Sequence, residues 1–332
     1  MTTKIKNFIA SKIFALLVLL AAIVLFFMFA SDYKFINPIN IRNILNSMVI
    51  YTLMAVGVGL LIISGEIDLS PGYVGTFSGV LFAVLSEQAG LPWYLSFVLC
   101  LLAGAAFGLF NALLVNKFRL PSFIATLATG PFIVKGLTYI LSNGGVITLS
   151  GSTDDNFVIF LGLYRIAKFV PVSIILALVV ITVYGIILSK SEFGRSVYLI
   201  GSNKMASRFA GIEPKKISYI LFANSGFLGA LAGIVYAGRL KAGNVEGTNT
   251  YTFDAIAAAI IGGISFTGGS GTMLGCFIGL LIINSFSNGL SILGVSPYWQ
   301  SVASGLLLLI ALIFDYISVR SSRNRLLRKS GA

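Results

Sequence analysis

Histidine is absent from this chain. Its absence excludes histidine-based catalytic triads, zinc-protease motifs and histidine proton relays. Charge is also scarce: 10% of the residues are Asp, Glu, Lys or Arg, against about 25% in a soluble domain. No GxxxxGK[ST] run occurs, so the chain has no P-loop with which to hydrolyse a nucleotide. Cysteine occurs twice, at Cys100 and Cys276, each inside an apolar run. These two read as small packing residues, not as a disulfide or a metal site.

Apolar residues are abundant: 57% of the 332 positions are hydrophobic and the mean hydropathy is +0.96. Long apolar runs with few charges predict helices, because barrel strands would alternate apolar and polar residues. The expected fold is an all-α polytopic membrane protein, one domain over residues 1–332. About ten spans are predicted, near 13–30, 47–64, 73–88, 92–115, 122–141, 169–189, 217–237, 253–264, 271–290 and 298–317. The first run follows Lys4, Lys6 and Lys12 and ends in a poor cleavage site, so it is expected to stay as a helix and not be removed as a signal peptide.

The net charge of +12 does not point to nucleic acid, because the basic residues sit in connections and termini. Sixteen of the 23 fall in alternate connections: Lys4, Lys6 and Lys12, then Lys117 and Arg119. The others are Lys190, Arg195, Lys204, Arg208, Lys215 and Lys216, followed by Arg320, Arg323, Arg325, Arg328 and Lys329. That bias predicts an even number of crossings with both termini in the cytoplasm. Residues 31–46 read as an outer interfacial segment, with Asn37-Pro38 as a turn. The outer loop 142–168, with Asp154 and Asp155, is either a docking surface for an external partner or a solvated loop.

Residues 254–275, DAIAAAIIGGISFTGGSGTMLG, read as a membrane helix that stops partway. Asp254 to Ile264 spans roughly 16 Å at about 1.5 Å per residue, half of a hydrocarbon core about 30 Å thick. Glycines, serines and threonines then interrupt the run. Such a break is tolerated at membrane depth only where protein buries it or water lines it. The other reading is a polar turn between two helices. GEIDLSPG at 65–72 echoes GGISFTGG at 262–269, so the chain has two glycine-rich broken regions. Paired interruptions of this kind point to a translocation site. Glu66, Asp68, Ser70, Asp254, Ser265 and Thr267 are the pathway candidates. An ionisable residue within a span is costly and therefore a functional candidate, although Asp68 is equally suited to cap the helix that follows. Lys135, inside a span, is a candidate partner for one of these carboxylates.

Small residues four apart form stripes at Ser225, Gly229, Gly233 and Ala237, at Gly271, Gly275 and Gly279, and at Gly104 and Gly108. They predict close helix packing, within the bundle or between two copies. The longest inner connection, 190–216, mixes six basic residues with Phe193, Tyr198, Leu199, Met205, Phe209 and Ile212. Apolar anchors within a polar rim suit docking on another protein; attraction to an anionic inner leaflet is the alternative.

Several separated segments carry a family resemblance. They are SGEIDLSPG at 64–72, LPSFIATLATGPFIVKGLTYILSNGG at 120–145, EFGRSVYLIGSNKMASRFAGI at 192–212, TFDAIAAAIIGGISFTGGSGTMLG at 252–275, and NGL at 288–290. In this order they resemble the permease subunits of bacterial ABC importers for monosaccharides, the ribose/xylose/galactose type. The resemblance implies a multi-pass protein of the bacterial plasma (inner) membrane, not an enzyme, working as a homodimer or heterodimer of permease chains. It implies cytoplasmic ABC ATPase subunits that carry ATP and Mg²⁺, so this chain needs no cofactor. It further implies an extracytoplasmic solute-binding protein and a monosaccharide substrate. The inner loop, around Glu192, Gly194, Arg195, Gly201, Asn203, Ala206 and Gly211, would transmit ATPase movement to the pore. Glu66 and Pro71 depart from the pattern, where relatives more often carry glycine and a small or β-branched residue. Related permeases carry nucleosides or branched-chain amino acids. Two other classes stay open on the residues alone. One is an ion-coupled secondary transporter using Glu66, Asp68 and Asp254; the other is an intramembrane enzyme with Asp68 and Asp254 as a dyad.

Overall fold

Helix α1 is Lys12–Ala30, apolar throughout after Lys12, with only Leu16 and Phe27 buried; the computed structural model describes residues 12–310, 312 and 313. The Asn37 side chain accepts from the Ile39 amide, and Pro38 takes the first helical position, where its missing N–H costs nothing. Helix α2 therefore runs Pro38–Ile63. The stretch 38–46, expected at the interface, is its first turns. Helix α3 is Pro71–Ala83, continued by a widened π turn at Val84–Gln88. Helix α4 is Trp93–Asn116. The next span, Ser122–Ser142, is α5 (Ser122–Ala128), a π segment (Thr129–Val134) and α6 (Lys135–Ser142). Pro131 has no N–H to give to the helix ladder, and the backbone widens around it.

The connection expected as a loop at 142–168 carries structure of its own: β1 (Ile147–Thr148), α7 (Phe157–Leu163) and β2 (Arg165–Ile166). Strand β3 (Val170–Pro171) and α8 (Val172–Lys190) follow. Two short helices fill the inner connection, α9 (Glu192–Ser202) and α10 (Lys204–Phe209). Then come α11 (Pro214–Leu240), β4 (Ala242–Gly243), α12 (Tyr251–Ile261) and α13 (Met273–Ile292). Residues 297–310 are again helical. Among the described residues, seven helices are long and apolar enough to cross a membrane, with Ser122–Ser142 counted as one, and α12 is a shorter apolar helix. The chain is a polytopic all-α membrane protein. Lys4, Lys6, the basic residues from Arg320 to Lys329, and the end of the predicted 298–317 span lie outside the described residues.

Helix α2 is almost wholly buried and α11 mostly so, whereas α1, α4 and α8 turn most of their surface outward. Lipid tails are as apolar as leucine, so close packing and not water exclusion holds such helices together. The glycine stripes provide it. Gly104 and Gly108 of α4 lie against Phe222–Gly226 of α11, and Gly229 and Gly233 of α11 lie against Pro71 and Gly75 of α3. A Cβ at Gly233 would be driven into the Gly75 carbonyl. Gly275 and Gly279 bring α13 against Gly262 and Ala258 at the end of α12. All three stripes thus pack inside one chain. Both cysteines are buried and free.

The two ends of the bundle differ. Arg119, Lys204, Arg208 and Lys215 converge on one cleft at the basic end. At the opposite end β1 pairs antiparallel with β4, Ile147 opposite Gly243. There the Ser150 amide and hydroxyl donate to Glu87, and Lys241 donates to the Gly151 carbonyl at 2.9 Å.

Candidate functional site

Both glycine-rich breaks and the inner connection meet at one junction. The Gly269 amide donates to the Ile63 carbonyl, the last of α2, at 2.8 Å. Gly65 (φ +82°) and Gly268 (φ +83°) turn the two segments back beside each other. Both occupy the left-handed region that disfavours a side chain. Gly201, near the end of α9, sits between the Ile63 carbonyl and the Gly269 amide, with no room for a Cβ. The Tyr198 hydroxyl, also on α9, donates to the Gly271 carbonyl at 2.6 Å. Burial pushes the Tyr198 phenol up, which keeps it a neutral donor. The two segments that resemble each other in sequence are therefore in contact, and α9 is bolted to both.

The first break has no regular structure from Glu66 to Ser70 and is held by side chains, since it has no ladder of its own. Ser122 accepts from the Ile67 amide and Thr126 from the Leu69 amide, both at 3.0 Å. Asp68 is fully buried. Its Oδ1 accepts from the Ser70 amide at 2.9 Å and the Ser70 hydroxyl at 2.6 Å, and Asn111 donates to that hydroxyl at 2.9 Å. Thr129, in the π segment, donates in turn to Asn111 at 2.6 Å. Asp68 and Ser70 thus brace the turn into α3. Asp68→Ala strands a buried amide and hydroxyl, at about 2 kcal/mol for lost partners of this kind. A lowered melting temperature in detergent is expected, with Asp68→Asn closer to the parent; equal melting of Asp68→Ala and the parent would refute this bracing role.

The half-length helix has its unexpected feature at its start. The backbone from 244 to 250 is non-helical, with Val245, Thr248 and Asn249 buried, and it leads into α12. Thr252 accepts from the Gly72 amide at 2.6 Å, Thr248 donates to the Gly72 carbonyl at 2.8 Å, and the Thr248 amide donates to Thr76 at 2.8 Å. A Cβ on Gly72 would stand 2.6 Å from the Thr248 carbonyl, so glycine is needed for this approach. Asp254, in the first turn of α12, is half-buried and accepts from the Tyr51 hydroxyl at 3.3 Å. The Tyr51 and Tyr251 ring centroids are 4.8 Å apart and those of Tyr236 and Tyr251 5.9 Å. Asp68 and Asp254 have separate partners and form no dyad. Lys135 pairs with none of the three anticipated carboxylates; its ammonium lies 3.0 Å from Glu246. The chain beyond α11 turns inward and carries Glu246 to it, which a linear reading places in an outer connection.

At the basic end, Glu66 pairs with Lys204 at 3.0 Å across a cleft of about 1040 Å³ that Arg119, Arg208 and Gly211 also line. Glu66 thus joins the first break to α10. The inner connection is built from local caps: Ser191 accepts from the Gly194 amide, and Asn203 from the Met205 and Ala206 amides, all at 3.0 Å. Gly194 lies against the Leu188 carbonyl, and Gly211 (φ +81°) turns the chain toward α11. Glu192 and Arg195 form an exposed pair at 3.5 Å, of the kind that contributes little. In the second break, the Ser265 and Thr267 hydroxyls lie 3.0 Å apart, the first buried and the second exposed.

Sequence reasoning missed Asn111, Thr129, Thr248, Thr252 and Glu246, and read Tyr198 as an apolar anchor of the inner connection, not as a hydrogen-bond donor to the second break. Threonines and asparagines inside apolar runs were the available signal, since a buried polar group needs a partner. Their partners lie far along the chain.

Comparison with known proteins agrees with this architecture. The family described as branched-chain amino acid transport system / permease component matches residues 40–312. Ribose import permease protein RbsC of Bacillus subtilis (strain 168) is 37% identical over 283 residues, which is 85% of this chain and 86% of that protein. Xylose transport system permease protein XylH of Haemophilus influenzae is 32% identical, over 92% of this chain and 96% of its own. Probable ABC transporter permease protein YphD of Escherichia coli (strain K12) is 32% identical, over 97% and 95%. No solved structure matches the chain. With its bundle of apolar helices and a likeness that runs nearly end to end, the chain belongs to this permease family and is a multi-pass protein of the bacterial inner membrane.

Proposed function

We propose that this chain is the membrane-spanning subunit of an ATP-driven ABC importer for a monosaccharide, a ribose-like pentose or a hexose. Relatives named for ribose and xylose support the solute class. Two permease chains enclose the path, ATPase subunits dock at the basic end, and a binding protein delivers the sugar to the opposite end. The chain is a transport subunit and not an enzyme. Ten crossings with both termini at the basic end fit the seven long helices, α3 with its π turn, the inward-turning 244–250 segment with α12, and the helix at 297–310. Among the pathway candidates, Asp254 is partly exposed and offers a carboxylate to solute hydroxyls, while Asp68 and Ser70 hold the turn beside the path.

The junction carries this reading. An ATPase that moves α9 and α10 displaces Gly201 and Tyr198. The first groups they touch are the end of α2 and the turn before α13, through the Ile63 and Gly271 carbonyls. Energy supplied on another chain thereby reaches two buried helices through backbone contact. The test is uptake of labelled pentoses, hexoses, nucleosides and branched-chain amino acids in cells with and without the neighbouring ATPase. ATPase-dependent uptake of one monosaccharide that survives collapse of the proton gradient is expected. Uptake that needs no ATPase and dies with the gradient would overturn the reading.

A further inference from the structure

The Lys135–Glu246 pair is out of place as a structural feature. Lys135 lies seven residues inside the end of its span at Ser142, about 10 Å at 1.5 Å per residue. Its side chain is 33% exposed and that of Glu246 56%. An ionisable pair left open at this depth is unfavourable against lipid and belongs beside water. Glu246 also lies on the non-helical 244–250 stretch, which tolerates such depth only where protein covers it or water lines it. An exposed pair of this sort contributes little stability.

The surroundings suit a neutral solute rich in hydroxyls. The Tyr139 hydroxyl donates to Glu246 Oε1 at 2.7 Å, and Asn249 donates to Oε2 at 2.9 Å. The Lys135 ammonium stands 5.8 Å from the centre of the Tyr139 ring. Asn249 is buried, and its Oδ1 has no partner. A cationic donor, two acceptor oxygens and a phenol therefore share one patch beside an open aromatic face, and the buried Asn249, with an unfilled amide acceptor, is tied to it through Glu246. Lys135 and Glu246 cancel each other's charge, which disfavours a coupling ion and leaves a set of hydrogen-bonding groups for vicinal hydroxyls.

We propose that Lys135, Tyr139, Glu246 and Asn249 form a solute-binding site in the wall of the translocation path, where sugar hydroxyls take over the hydrogen bonds these side chains make to one another. The proposal rests on the importer reading. A passing sugar accepts from Lys135, donates to Glu246, and lies against the Tyr139 ring.

The test uses the whole importer in proteoliposomes, with ATPase and binding protein, and labelled ribose and xylose as probes. Glu246→Gln and Lys135→Met are expected to lower the sugar moved per ATP about tenfold, the scale of one hydrogen bond to a charged group. ATP hydrolysis stimulated by loaded binding protein is expected to stay within about twofold of the parent. The double exchange Lys135→Glu with Glu246→Lys keeps an ion pair but reverses donor and acceptor against Asn249, so uptake stays low. A parental sugar-to-ATP ratio in the single variants would overturn the site. So would full recovery on exchange, or a parallel fall of uptake, hydrolysis and thermal stability, since each of these marks a merely structural pair. Failure of the importer reading itself is seen separately, as no ATP-dependent sugar uptake by the unaltered protein.

Discussion

Gly201→Val is expected to lower ATP-driven uptake by 100-fold or more. The glycine sits where α9 meets both breaks, and a Cβ there would collide with the Ile63 carbonyl and come 2.5 Å from the Gly269 amide. These neighbours are backbone, so no rotamer change relieves the clash. Overpacking of this kind costs about 1–3 kcal/mol, and forcing the Gly269 amide off the buried Ile63 strands that carbonyl at a further 1–3 kcal/mol or so. Together that is about one and a half to four and a half powers of ten in the population of the intact junction. Gly201→Ala is expected to give a smaller loss in the same direction. Gly136→Ala, which meets open space, is expected to leave uptake unchanged. The measurement is uptake in reconstituted vesicles, with melting temperature and ATPase retention followed in parallel. Uptake by Gly201→Val within twofold of the parent would refute the junction as the transmission point.

Phe209→Asp is expected to weaken ATPase association about 30-fold, the scale of an aromatic anchor worth about 2 kcal/mol at an interface centre. Phe209 is 87% exposed and Met205, one turn earlier, 64%. Residues four apart share a helix face, so α10 presents an apolar knob beside Arg208. The Asn203 cap fixes this short helix through two amides, so the knob is held in place before any partner arrives. Phe209 is so exposed that its loss costs the isolated subunit little, and its melting temperature is expected to stay put. Titration of the ATPase onto the permease in nanodiscs is the check. An unchanged Kd would move the docking surface elsewhere, and the Glu66–Lys204 cleft would be the next place to substitute.

Much of this organisation is local and therefore legible in order along the chain. Apolar run length marks the spans, and the helix starts that the structure shows at Asn37, Ser191 and Asn203 rest on caps that reach only two or three residues. The small-residue stripes state which helix faces come close, and the spacing of lysines and arginines separates the two ends. The short helix before Gly262 is visible from its length. Its discontinuity is not placed by length: 244–250 is polar enough to pass for an outer loop, yet its threonines satisfy the buried start of α3 at Gly72 and Thr76.

By itself the sequence determined that this is a helical membrane protein with basic and opposite ends, two glycine-rich interruptions and a long connection that mixes basic with apolar residues. Each of those follows from hydropathy, capping or charge bias within a few turns of chain. The tertiary structure alone decided that the two interruptions touch through Ile63 and Gly269, that α9 lies against both, and that Lys135 answers Glu246 instead of Glu66, Asp68 or Asp254. Such pairings join residues that lie up to about 200 positions apart. A buried polar group demands a partner, but its identity depends on which helices the glycine stripes bring together, and that is fixed only when the whole bundle packs.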